Sequence, residues 1–220
     1  MPRLPMPPTN PEELIKNTTE QYAALGRFVE AFELMVHEVR EICIERICAG
    51  IGGSERERLI EIPFHNQSMT AKPLFDTMRA IIAEIVNVET SPHYADRATF
   101  KKVLSCIETE HNHLYNKRNE LLHGTWLVGY TSFDDPNAKE FRIRKYKTTA
   151  DGLADVQLPK NVPELLDLVA RCDDARMWLG HIEFCLQDTV PIHEFFRQTP
   201  GEPWKFFLTS RDGGTTLPRK

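Results

Sequence analysis

No stretch of this 220-residue chain approaches the roughly 18 consecutive apolar residues of a membrane-spanning helix, so no membrane partner is expected. A surplus of positive charge is also missing. Against 32 Asp and Glu stand 27 Lys and Arg, a formal charge of -5, which excludes coating nucleic acid or an anionic bilayer by bulk electrostatics. Any nucleic-acid contact must be local. The five cysteines (Cys43, Cys48, Cys106, Cys172, Cys185) are odd in number and form no C-x-x-C pair, which reads as reduced thiols in a cytoplasm. The start, Met1-Pro2-Arg3-Leu4-Pro5-Met6-Pro7-Pro8, has too many prolines and too short an apolar run for a signal peptide. A cytoplasmic location is the expectation.

Several chemical signatures are absent as well. There is no H-E-x-x-H and no Cys/His cluster, and His111 and His113, two apart on a helix, point to nearly opposite sides. No metal and no cofactor is expected. Gly50-Ile51-Gly52-Gly53 is a helix exit and not a strand-to-helix phosphate loop, and no Ser or Cys sits in a recognisable nucleophile elbow. Nucleotide hydrolysis and acyl transfer are therefore unsupported.

What is present is helical periodicity. With 41% apolar and 27% charged residues the chain can bury a sizeable core as one domain. Asn10-Pro11-Glu12-Glu13 starts a helix, with Asn as N-cap and acids at the positive end of the dipole. Leu25, Phe28, Val29, Phe32, Met35, Val36, Val39, Ile42, Cys43 and Ile47 then recur at three- and four-residue steps up to Ala49-Gly50. A second helix spans about Thr70 to Val88, carrying Leu74, Phe75, Met78, Ile81, Ile82, Ile85 and Val86. A third follows Ser91-Pro92, with Phe100, Val103, Ile107, Leu114 and Leu121 in a stripe that ends at Gly124. Asn161 caps a fourth, with Leu165, Leu168, Val169, Cys172, Ala175, Leu179, Ile182 and Leu186.

Between the third and fourth helices, Trp126 to Thr131 and Glu140 to Lys147 flank Asp134-Asp135-Pro136-Asn137 and predict a hairpin near 125–148. The expected fold is all-α: an antiparallel helical bundle of about four to five helices with a small β-hairpin insertion. The expected organisation is a flexible Pro-rich segment 1–10, the bundle 11–190, and an irregular tail 191–220 whose last ten residues are mobile.

One segment carries chemistry: Asn116-Lys117-Arg118-Asn119-Glu120-Leu121-Leu122-His123-Gly124. The spacing Arg-x4-His alone is weak, since 16 Arg and 8 His give about 0.6 matches by chance. A second match, Arg176 to His181, lies in mid-helix among core residues, and Arg58 to His65 is a wider variant in a loop; both read as coincidence. Arg118 to His123 differs in having the amide of Asn119, two leucines holding the helix on its core, and a histidine in the last turn. Asn119 and His123 share a face, and Arg118 on the flank can reach along it, so all three can converge on one phosphate.

Here the chain resembles the HEPN superfamily of helical-bundle proteins, many of them metal-independent ribonucleases of RNA-targeting defence and toxin systems. The matching residues are Arg118, Asn119 and His123; the likeness covers roughly Pro11 to Gln187 by helix order, and its specific part is about ten residues. The subgroup that pairs with nucleotidyltransferases carries Tyr two residues after the His, where this chain has Thr125, so that subgroup is not assigned. The resemblance implies a homodimer that brings two copies of the motif to one cleft, RNA as substrate, and an antitoxin or regulatory protein among the partners.

Chemistry gives these residue types an independent rationale. In RNA cleavage without a metal, the 2′-hydroxyl loses a proton as it attacks the phosphate and the leaving 5′-oxygen gains one, and imidazole suits either task at neutral pH. Negative charge builds on the phosphorane, where a guanidinium such as that of Arg118 stabilises it bidentately. One histidine cannot be acid and base in the same step, hence the interest of a second copy.

RNA contacts are further expected from Lys117 and from Arg142, Arg144 and Lys145 in the basic, aromatic stretch Lys139 to Lys147. Plainer readings stand beside each. His123 can bond the last carbonyls of its helix, Arg118 can pair with an acid such as Glu110, and the basic stretch can protect an edge strand. His111 and Tyr115, on the Arg118 side of the helix, read as core or rim packing. The alternative function is a non-catalytic HEPN-like module that binds RNA, a nucleotide or a protein partner.

Overall fold

The computed structural model describes residues 10–47, 70–123, 125–127, 142–144, 146–149, 152–155, 161–200, 203–207 and 215–216. Among them are four α-helices: α1 (Pro11–Ile47), α2 (Ala71–Asn87), α3 (Arg97–Leu122) and α4 (Val162–Asp188). The strands are short: β1 (Thr125–Leu127), β2 (Arg142–Arg144), β3 (Tyr146–Thr149), β4 (Gly152–Asp155), β5 (Phe196–Arg197), β6 (Lys205–Phe206) and β7 (Thr215–Thr216). The fold is all-α with small hairpins, as the periodicity implies. The Pro-rich start, the Ala49-Gly50 and Gly124 helix ends, the turn at 134–137 and Arg58 to His65 lie outside the described residues.

Two of the helix starts are set by local chemistry. Asn10 Oδ1 accepts the Glu12 N–H at 3.0 Å, and Asn161 Oδ1 accepts the Glu164 N–H at 2.9 Å while its amide donates to Glu164 Oε1 at 3.1 Å. The start of α3 comes later than Ser91-Pro92 suggests. Residues 91–96 close turns on the carbonyls of Ser91 and His93, and the Asp96 carbonyl takes the first helical N–H groups, from Thr99 and Phe100.

The chain divides into two compact units, residues 1–32 with 116–172 and residues 33–115 with 173–220. In the first unit, Ala24, Phe28, Ala31 and Phe32 on α1, Leu121 on α3, and Leu165, Leu168 and Cys172 on α4 are buried. The stripe on α1 continues toward its N-terminus in polar residues, Asn17 and Gln21, which are buried at the same spacing. β1 pairs antiparallel with β2, Trp126 opposite Ile143, which is the expected hairpin in part. A second hairpin, β3 with β4, was not legible in the sequence.

In the second unit α2 and α3 run antiparallel, linked by Phe75 stacked on His111, the Arg79–Glu108 ion pair, and Lys101 donating to Asn87 Oδ1. Their core joins Met35, Val39 and Ile42 of α1 and Trp178, Leu179 and Ile182 of α4. Arg46 and Glu183 form an ion pair with side chains only 15% and 12% exposed. The segment after Pro191 departs from the expected irregular tail. Ile192–Glu194 form a 3-10 turn, and β5, β6 and β7 make a three-stranded sheet because Ile192, Phe196 and Phe206 bury their side chains. β7 falls within the ten residues expected to be mobile.

Candidate functional site at the end of helix α3

The first unit holds the Arg118 to His123 segment. His123 lies one residue past the end of α3, yet its N–H donates to the Asn119 carbonyl at 3.1 Å, so the i to i-4 ladder carries the histidine in helical register. Only one of the two leucines anchors the turn. Leu121 is fully buried, whereas Leu122 is 40% exposed, because a single stripe of α3 faces the core.

Asn119 and His123 are roughly 40° apart around the helix and Arg118 is roughly 140° from His123, so the arginine's backbone position does not by itself bring it to the histidine. Its side chain closes part of that gap. Arg118 Nη1 donates to Asn119 Oδ1 at 3.3 Å, and the guanidinium carbon lies 5.9 Å from the ring centre of Phe32. The aromatic face supports the cation from one side and the amide draws it toward the Asn119 edge. Arg118 and Asn119 are half-buried and His123 is exposed, so the segment joins an anchored cation to an accessible imidazole.

Lys117 is engaged locally, its Nζ 3.2 Å from Glu120 Oε2. Arg142 and Arg144 occupy β2, with backbone partners Leu127 and Thr125; their side chains and Lys145 lie outside the described residues. The structure thus brings Arg118 and Asn119 into contact and keeps His123 on the Asn119 edge.

Two other histidines are accounted for by packing. His181 Nδ1 donates to the Met177 carbonyl at 2.9 Å, and its ring packs against Phe195 and Phe206 at 4.9 and 4.8 Å. Arg176, the arginine of that second spacing, lies 3.7 Å from Asp173. His111 is buried, stacked on Phe75 at 4.3 Å, and desolvation pushes its pKa down to about 4, so it is neutral near pH 7. Among the described residues no three His, Cys, Asp or Glu side chains are grouped to hold a metal ion.

Sequence reasoning missed two polar groupings. In the first unit Asn17 and Gln21 are buried on α1, and their signal was a three- and four-residue step shared with Ala24 and Phe28. In the second, burial raises the carboxyl pKa values of Glu38 and Asp174, the latter also facing Asp173 and the buried Glu110. Family models, curated proteins and solved structures were each compared with the chain, and none matches.

Proposed function

We propose that this chain is a metal-independent endoribonuclease of HEPN-like type, acting in the cytoplasm as a homodimer with Arg118, Asn119 and His123 of both copies around one scissile phosphate. The observation that carries the reading is the Arg118–Asn119 hydrogen bond, which draws a half-buried guanidinium toward the edge bearing the exposed His123. One imidazole removes the 2′-hydroxyl proton, the other protonates the leaving 5′-oxygen, and the guanidinium stabilises the phosphorane. Asn119 holds the guanidinium in place. Cys43, Cys106, Cys172 and Cys185 are buried and none is in a disulfide, which is consistent with a reducing compartment. A regulatory protein partner follows from the same likeness.

The test is cleavage of labelled single-stranded RNA in excess EDTA by the parent protein and Arg118→Lys. The expected products end in 2′,3′-cyclic phosphates, and the lysine variant is slower by about 100-fold because it cannot reproduce bidentate contacts. Intact RNA with folded parent protein would favour the second reading, a binding module. The observation on its side is that Arg118 is also packed over Phe32, as a fixed anion anchor would be.

A further inference from the structure

The small sheet after α4 has two unlike faces. Phe196 and Phe206 sit opposite one another in β5 and β6, buried, with ring centres 5.3 Å apart. The adjacent register position sets Arg197 directly opposite Lys205 on the other face. Like charges directly opposed across antiparallel strands do not favour pairing, so it is the buried phenylalanines and not this position that hold the two strands together.

An aromatic ring lies beside the two cations. Phe207 shares its face with Lys205 by strand alternation, is half-buried, and has the Arg197 guanidinium 5.3 Å from its ring centre. The Phe207 N–H donates to the Phe195 carbonyl at 2.8 Å, and the Phe195 ring packs edge-on against exposed Phe184 at 5.9 Å. Arg197 is exposed; its Nε donates to the His193 carbonyl at 3.2 Å, and its Nη2 is 4.0 Å from Glu194, the outer limit of an ion pair.

We propose that this face docks a short single strand of RNA, one phosphate between Arg197 and Lys205 and a neighbouring base on Phe207. A phosphate there meets two cations brought together by the strand register, and the ring beside them offers a base a stacking surface. A single strand supplies an anion and a flat π face at short, repeating intervals, whereas a carboxylate side chain supplies only the first. The site lies in the second unit, apart from Arg118 and His123 in sequence, and its existence does not depend on cleavage.

The experiment is a fluorescence-anisotropy titration of labelled oligouridylate, about ten nucleotides long, with full-length protein carrying His123→Ala so that no turnover intervenes. Adding Arg197→Gln and Lys205→Gln should weaken binding about tenfold or more and flatten the slope of log affinity against log salt by about one. Phe207→Leu, which keeps an apolar side chain, should weaken it several-fold and leave that slope unchanged. Circular dichroism checks folding, and Lys205→Gln alone serves if the double change unfolds the protein. No binding by the His123→Ala protein, an affinity indifferent to these changes, or an oligoglutamate peptide that binds as tightly and is as sensitive to Phe207→Leu would overturn the proposal.

Discussion

Two segments of this chain share the spacing Arg-x4-His and differ in nearly everything else. At Arg176 to His181 the arginine lies beside Asp173, and the histidine donates to a carbonyl one turn back and is packed between two phenylalanines. At Arg118 to His123 the arginine leans on an amide and a ring, and the histidine is exposed at the helix end. The spacing is therefore not the signal. What distinguishes a candidate catalytic pair is whether the imidazole is already packed into the fold or exposed.

That contrast can be sharpened by asking where stability resides. Two residues beyond His181, Glu183 is held by Arg46, and Arg46→Ala leaves a largely buried carboxylate without its cation. Loss of about 3 to 5 kcal/mol in urea unfolding is expected, with RNA cleavage per folded molecule unchanged.

The next largest effect is pH-dependent. The native pKa of His111 is pushed down to about 4, so below the usual imidazole range the unfolded chain binds a proton that the folded chain refuses. Stability from this residue is complete above about pH 6.5 and falls as pH drops toward 4, by an amount on the order of 3 kcal/mol. Unfolding measured from pH 7 to 4 checks this, and His111→Phe should flatten the dependence over that window.

Smaller still is His181→Ala, which removes a ring between Phe195 and Phe206 and should cost about 1 to 3 kcal/mol by the same measurement. The smallest effect belongs to the motif helix. Lys117→Ala breaks an i,i+3 pair with Glu120 and should shift stability by no more than about 0.5 kcal/mol. A loss at Lys117 as large as that at Arg46 would break the contrast between the two regions.

Much of the fold was legible because it is local. Asn10 and Asn161 cap the helices their side chains announced, and Phe28, Phe32, Val39, Phe75, Ile82 and Leu179 are buried where three- and four-residue steps placed them. The same steps ran through Asn17, Gln21 and His111, where polarity concealed a core position. β5 and β6 were illegible for a different reason. Two-residue strands have no periodicity, and their pairing is decided by where Phe196 and Phe206 are buried. At the candidate site, the shared edge of Asn119 and His123 followed from helix geometry. The exposure of Leu122 and the support of Arg118 by Phe32, 86 residues away in sequence (118 minus 32), did not.

The central claim is that the exposed histidine acts and the packed one does not. The most direct test is a side-by-side assay of His123→Ala and His181→Ala on labelled single-stranded RNA in excess EDTA, with each rate scaled to the folded fraction. The expected result is a loss of at least about 100-fold for His123→Ala and an unchanged rate for His181→Ala. Equal rates in the two variants, or a loss confined to His181→Ala, would contradict it.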